Sequence, residues 1–426
     1  MTAVAAPTTR RYANYVFILL FLLYLFDYTD RLIIVSLFPF IKADWGVSDT
    51  QLGLLVSAVY WSILIFSLPL SILVDRWSRK KSIGLMALLW SIATAACAFT
   101  RNFGQLFGVR TAIGLGEAGY APGGTAMISA LYPPDSRAKV LGLWNASIPL
   151  GSAVGIALGG FIAEHYGWRH AFGIVAIPGF ILGMMFFWVR DYKTVDLVHT
   201  VDDHGQSGKK RMRLPDIARM FLRSKSLIFN NVAFAMSVFV TTSLLTWLPT
   251  YFNRLYDIPM TKAGPKGAVV MLLSVVGAPL GGWLADKWWK KQIRGRMLFP
   301  AVSSLVTAVM LFVVFTLLRG NAQFIALLLV GVAAVGFIAS AIAVTQDVVH
   351  PGLRATSLSL NVIIQHLLGS ALGPPIIGRL SDHFGLETAM QFLPLFTLMA
   401  AVLFFVGSFY YEKDLSMVEQ VDLEIE

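Results

Sequence analysis

Apolar and polar residues follow one another along this chain in long blocks, without a short period. Twelve apolar stretches run over about 15–40, 51–74, 83–100, 105–132, 139–163, 171–190, 229–253, 267–287, 297–318, 322–347, 356–379 and 389–411. Each reaches the roughly 18 residues that a helix needs to cross a hydrocarbon core. An α-helix satisfies its own backbone polar groups where no water is present. The pattern therefore predicts an all-α membrane protein with twelve transmembrane helices. The first stretch has no small-residue cleavage site after it, so it reads as a retained helix and not a signal peptide.

A polar segment, about Asp191 to Ser226, divides the stretches six and six. It contains Asp202, Asp203, His204 and Gly205, followed by Lys209, Lys210, Arg211 and Arg213. The predicted organisation is an N-terminal six-helix bundle over 1–190, a cytoplasmic linker over 191–228 and a C-terminal six-helix bundle over 229–426.

The halves repeat each other. Gly151, Gly155, Gly160, Glu164, His165, Tyr166, Gly167 and Ala171 match Gly369, Gly373, Gly378, Asp382, His383, Phe384, Gly385 and Ala389 at one constant offset. Just upstream, Arg137-Ala138 matches Arg354-Ala355 with a slip of one residue. A second match pairs Asp75, Arg76, Trp77, Arg79 and Lys80 with Asp286, Lys287, Trp288, Lys290 and Lys291. Two pseudo-symmetric bundles follow. Parallel repeats of this kind belong to transporters that rock one half against the other around a midplane site.

Composition agrees: 56% of the 426 residues are hydrophobic and only 14% charged, against roughly 25% charged in soluble proteins. The net charge of +10 could point to nucleic acid, but topology explains it better. With both termini cytoplasmic, about 24 of the 34 Lys and Arg fall on the inner side, about eight outside and two within spans, which is the positive-inside bias. The expected setting is the cell membrane, multi-pass, with the bilayer and a small-molecule or lipid substrate as partners, no nucleic acid, and a monomer. The basic linker reads as a surface near anionic lipid. The lone Cys97 reads as a small buried hydrophobe. No metal cluster, nucleophile constellation or phosphate loop is present, so neither an enzyme nor a bound cofactor is expected.

Against this apolar background the first stretch carries Asp27, Asp30 and Arg31. Each costs roughly 2.5–3.5 kcal/mol near the centre of a membrane helix. Such groups line a cavity or pair with one another and mark a path for ions or substrate. Asp30 lies about 22 Å along a helix that enters near Tyr15, and Glu117 lies about 18 Å along the fourth helix from its outer end. Asp27 and Arg31 are four apart on one face; Arg110 and Glu117 are seven apart on one face. A static salt bridge is a poor explanation, because buried ion pairs add little or no net stability over apolar replacements. Burial favours the neutral form of a carboxylate and a nearby arginine favours the charged form. A carboxylate balanced between the two exchanges a proton as a cavity opens to either side.

The segment Val74-Asp-Arg-Trp-Ser-Arg-Lys-Lys81 and its second copy, Gly282-Trp-Leu-Ala-Asp-Lys-Trp-Trp-Lys-Lys291, resemble the loop signature of the major facilitator superfamily, with Ser71 and Ser78 where that family usually has glycine. The resemblance covers nearly the whole chain and implies alternating access. It makes Asp75, Arg76, Arg79, Asp286, Lys290, Arg137 and Arg354 gating candidates: Asp75 and Asp286 would pair with basic groups across the half interface in one state and release them in the other.

Three stretches, 27–31, Gly116-Glu-Ala-Gly-Tyr-Ala-Pro122 and Val349-His-Pro-Gly-Leu-Arg-Ala355, resemble spinster-like lysolipid and sphingolipid carriers, as does His366-Leu-Leu-Gly-Ser-Ala-Leu-Gly-Pro-Pro375. The first two resemble the anion:cation symporters of organic anions almost as well. Both resemblances imply proton coupling through Asp30 and Glu117, with Arg31 as counter-ion or substrate anchor and Arg110 as a gating or relay partner. Asp27 departs from the usual asparagine. Tyr28, Tyr60, Tyr120 and Asn145 are candidate cavity residues by position. Aligned on Pro39 and Pro249, the seventh helix has Val240 and Thr241 where the first has Asp30 and Arg31. The C-terminal half instead offers Thr241, Thr242, Ser243, Trp247, Asn361, Gln365 and His366 for hydrogen bonding and shape selection, and a lone histidine such as His366 suits packing or helix bonding better than a proton role. Glycines at 142, 151, 155, 159 and 160 nearly match a drug/proton antiporter pattern, with Ile156 where proline is expected. The expected function is a proton-coupled secondary transporter of an amphiphilic lipid-like molecule or organic anion, with the proton as coupling ion; the alternatives are a proton/drug antiporter or a non-coupled scramblase or sensor.

Overall fold

The computed structural model describes residues 9–190, 221–350 and 353–418; most of the linker lies outside them, as do the side chains of Ile72, Asp75, Arg76, Pro134, Asp135, Ala138 and Ala355. Among the described residues there are helices and turns and no strand.

In the N-terminal half, α1 (Arg10–Leu32) passes through a 3₁₀ turn (Ile33–Leu37) into α2 (Phe38–Trp45). The tightening precedes Pro39, whose missing N–H leaves the Val35 carbonyl without its bond. There follow α3 (Asp49–Arg76), α4 (Arg79–Cys97), α5 (Phe103–Glu117), α6 (Tyr120–Leu131), α7 (Pro134–Asn145), α8 (Ser147–Tyr166) and α9 (Trp168–Phe186). The C-terminal half runs α10 (Lys225–Tyr256), α11 (Met260–Leu272), α12 (Ser274–Trp289), α13 (Gly295–Thr316), α14 (Gly320–Ala333), α15 (Ile338–Asp347) and α16 (Arg354–Ile364). A π turn (Gln365–Ser370), α17 (Gly373–Phe384), α18 (Leu386–Met390) and α19 (Leu393–Ser416) complete it. The π turn precedes Pro374 and Pro375, which remove two N–H donors from the ladder. Nine helical segments among the described residues are long and apolar enough to cross a membrane.

The sequence repeat is a packing repeat. α1 lies on α8 as α10 lies on the α16–α17 strand of chain, and α4 lies on α9 as α13 lies on α19. Glycines permit the close crossings. A Cβ added at Gly151 would lie 2.2 Å from the Leu25 carbonyl oxygen, and one at Gly155 2.5 Å from that of Thr29. Their repeat mates behave alike, Gly369 at 2.7 Å from the Ala235 oxygen and Gly373 at 2.8 Å from the Phe239 oxygen. The last glycine of each set faces the opposite half. A Cβ at Gly160 would meet the Met260 oxygen at 2.7 Å, and one at Gly378 the Asp49 oxygen at 2.4 Å. The halves thus touch along two equivalent seams, α8 on α11 and α3 on α17.

Candidate functional site

Asp27 and Arg31, one turn apart on α1, point into the interior of the N-terminal half. Asp27, Asp30, Arg31, Arg110 and Glu117 are all buried, none more than 6% exposed. Small residues bring α5 against its neighbours: a Cβ at Gly114 would sit 2.5 Å from the Val59 oxygen and one at Gly116 2.7 Å from the Trp90 nitrogen. Glu117, the last residue of α5, is thereby delivered to Arg31. One nitrogen, Arg31 Nη2, lies 2.7 Å from Glu117 Oε2 and 3.3 Å from Asp27 Oδ2. Neither Glu117 oxygen is aligned for a hydrogen bond, so its contact with Arg31 is an ion pair. The guanidinium also lies over the Tyr28 ring at 4.4 Å and the Tyr60 ring at 5.8 Å, where ring faces attract a cation. Its Nε has no partner. One cation therefore answers two carboxylates and keeps a donor in reserve.

Asp30 stands apart from that cluster. Its Oδ2 accepts from the Thr94 hydroxyl at 3.4 Å and its Oδ1 has no hydrogen-bond partner. The ion pair on α1 is therefore Asp27 with Arg31, and the adjacent Asp30 turns towards α4. Arg110 serves the backbone: Nε donates to the Leu55 carbonyl at 3.0 Å and Nη2 to the Arg31 carbonyl at 3.1 Å. It ties α3 and α1 together beneath the cluster.

Buried aromatic side chains pack around the cluster. The Tyr120 hydroxyl donates to the Leu20 carbonyl at 2.6 Å, and Tyr24 stacks on Trp144 at 4.3 Å. Tyr60 stacks on His366 of the opposite half, centroids 5.7 Å apart, and the His366 Nδ1 has no hydrogen-bond partner. His366 sits in the π turn, a device frequent at functional sites. Asn361 donates to the Asn231 side chain at 2.8 Å and accepts from Gln365. Thr241 and Asn145 bond only within their own helices, to Val238 and Leu141, and lie outside the charged cluster.

Asp286 and Arg137, two of the gating candidates, bond within their own halves in this conformation. Asp286 pairs with Arg296 of its own half, which also reaches Asp347 at 3.3 Å. Arg137 donates to the Ser129 carbonyl at 2.7 Å. Lys290 and Arg354 are exposed, and Arg79 opens α4. The Asp75 and Arg76 side chains lie outside the described residues.

Polar bridges between the halves form among the described residues at the other end, on residues that the sequence did not single out as a gate. Asp49, 1% exposed, takes both arms of Arg254 at 2.6 and 2.8 Å, Lys42 at 2.6 Å and the Ser381 hydroxyl at 2.5 Å. Asp382 accepts from the backbone N–H of Asp49 at 2.7 Å and of Thr50 at 2.9 Å. At the second seam Glu164 accepts from the Thr261 N–H at 2.9 Å. Glu164 and Asp382 are repeat mates, so each half caps a helix start in the other, where an acid is favoured. The matched Glu/Asp-His-Tyr/Phe-Gly segments were the available signal.

The Major Facilitator Superfamily model matches residues 20–374. The hexuronate transporter of Bacillus subtilis (strain 168) is 28% identical over 295 residues, covering 68% of this chain and 69% of that one. The sphingosine-1-phosphate transporter SPNS2 of Mus musculus is 25% identical over 432 residues, covering 92% of this chain and 77% of that one. A solved bacterial homolog of the human lysosomal transporter spinster, inward-facing and unoccupied, superposes with a TM-score of 0.83 at 22% identity, covering 95% of this chain and 99% of that one.

Proposed function

The chain belongs to the major facilitator superfamily, and we propose that it is a proton-coupled secondary active transporter that works by alternating access. It is a transporter of spinster type and not an enzyme. The proposed architecture is twelve spanning helices in two six-helix bundles, with the Asp49 end extracellular and the basic loops and both termini cytoplasmic. The conformation described is then closed outside.

One observation carries the reading: a single buried guanidinium nitrogen lies within 3.3 Å of two carboxylates, Asp27 and Glu117. Both acids claim the same cation. A proton on either releases part of Arg31 to an incoming anion, and an anion on Arg31 in turn favours protonation of the displaced acid. Such linkage is reciprocal and makes proton and anion travel together. Asp30, with one oxygen unpartnered, is the second proton carrier, relayed through Thr94. Tyr60 and His366 join this site to the C-terminal half and transmit its occupancy to the seams.

The substrate proposed is an anion with a carboxylate or phosphate head, which suits the planar fork of Arg31. The named relatives carry a hexuronate and sphingosine-1-phosphate, which share that chemistry. Thermal stability measured with lysophospholipids, hexuronates and cationic drugs at two pH values tests it. Stabilisation by an anion that strengthens at the lower pH is the expected result. Stabilisation by cationic drugs alone favours the drug antiporter, and lipid flux that ignores pH favours the scramblase.

A further inference from the structure

Each half contains a hollow where its first helix meets the loop after its fourth apolar stretch. Aligning Pro39 with Pro249, and Arg137 with Arg354, places Ala13 on Arg223 and Ser136 on Leu353, residues that border the two hollows. The hollows are therefore repeat mates, of about 420 Å³ in the C-terminal half and about 610 Å³ in the N-terminal half. Their chemistry differs. The C-terminal hollow holds its own acid: Asp414, 8% exposed, accepts from the Ser226 N–H and hydroxyl, each at 2.7 Å, and from the Ser224 hydroxyl at 3.2 Å. In the N-terminal hollow no carboxylate is among the described residues that line it. Arg10 and Lys139 stand exposed on its rim, and among the described residues neither forms an ion pair. Phe17 and the exposed Leu143 give it an apolar wall, and the Tyr132 hydroxyl donates to the Asn14 side chain at 3.0 Å on its polar side.

We infer that this N-terminal hollow binds the phosphate headgroup of an anionic bilayer lipid, between Arg10 and Lys139, with the start of its acyl chains on Phe17 and Leu143. The two cations supply the charge complement, a fork and a point charge. The exposed Leu143 offers the start of the acyl chains an apolar surface. Basic hollows between spanning helices are where anionic headgroups settle. The proposed orientation decides only which leaflet supplies the lipid.

The test needs no transport, so it stands apart from the proton-coupling reading. Native mass spectrometry of the full chain in mild detergent is titrated with phosphatidylglycerol, phosphatidylcholine and, separately, inorganic phosphate. Phosphatidylglycerol is expected to bind well above phosphatidylcholine, and Arg10→Gln/Lys139→Gln to weaken it by roughly 25-fold, about fivefold per cation. The Lys287→Gln/Lys291→Gln variant, with the same charge change, is expected to bind as the wild type does. Lys139→Gln alone, expected at about fivefold, serves if the double variant does not fold. Equal binding of the two lipids, unchanged binding by the substituted chain, or an equal loss in the control variant overturns the site. Inorganic phosphate competing at the lipid's own concentration assigns it to a free anion and overturns the lipid.

Discussion

In the last two turns of α1 stand Asp27, Asp30 and Arg31, all buried; at the matching positions of α10 stand Ser237, Val240 and Thr241. Around both helices the backbone packing is the same, down to the glycines that admit a neighbouring carbonyl oxygen. The seams follow the same rule: Gly160 and Gly378 seat equivalent helix starts, yet Asp49 is held by Arg254, Lys42 and Ser381 whereas Met260 has no charge to hold. Small residues and helix crossings carry the symmetry. Ionisable groups break it, and they do so at the places where a carrier needs one-sided chemistry.

The largest effect that would sharpen this contrast is expected from Arg31→Leu. It leaves Asp27 and Glu117 buried without their cation and should cost about 3–5 kcal/mol in unfolding measurements. Thr241→Leu, at the matching site, should cost under about 1 kcal/mol; equal losses would break the contrast. Next come the seams. Gly378→Ala forces a Cβ against the Asp49 carbonyl and should destabilise the closed end by about 2–3 kcal/mol. Gly160→Ala should do nearly the same, read as faster labelling of cysteines placed beside each seam. Asp49→Asn should loosen its seam by about 2 kcal/mol through lost charged hydrogen bonds, whereas Glu164→Gln should change labelling by under about 1 kcal/mol. His366→Ala, which removes the ring stacked on Tyr60, is expected to cost about 1 kcal/mol; thermal stability reads it.

Much of this was legible in the sequence because it is periodic. Apolar stretches, the glycine repeat and the charged first helix all recur at spacings that a helix turns into faces. The four-residue spacing of Asp27 and Arg31 put them on one side of α1, and they pair there. The partner of Asp30 was not legible: the resemblance to known carriers joined it to Arg31, but Thr94 of α4 takes it, a contact set by helix packing 64 residues away. Arg110 read as a gating or relay partner on the face of Glu117; in this conformation it holds two carbonyls, because α1 tightens at Ile33–Leu37 and α3 lies close beside it. Asp75 and Asp286 were expected to pair across the halves in one state and release in the other, and the Asp75 side chain lies outside the described residues. Asp286 pairs with Arg296, ten residues on, while the bridge between halves forms at Asp49 with a partner 205 residues away. Local charge patterns say which groups want partners; the crossing geometry decides which partners arrive.

The central claim is that the charged side of this asymmetry moves protons. The direct measurement is flux into proteoliposomes under an imposed pH gradient, using the anion that the stability screen selects, for the wild type, Asp30→Asn and Glu117→Gln, each checked for folding. Proton-driven flux is expected in the wild type and absent from both variants, while binding of the anion survives. Proton-driven flux that persists in both variants would contradict the account.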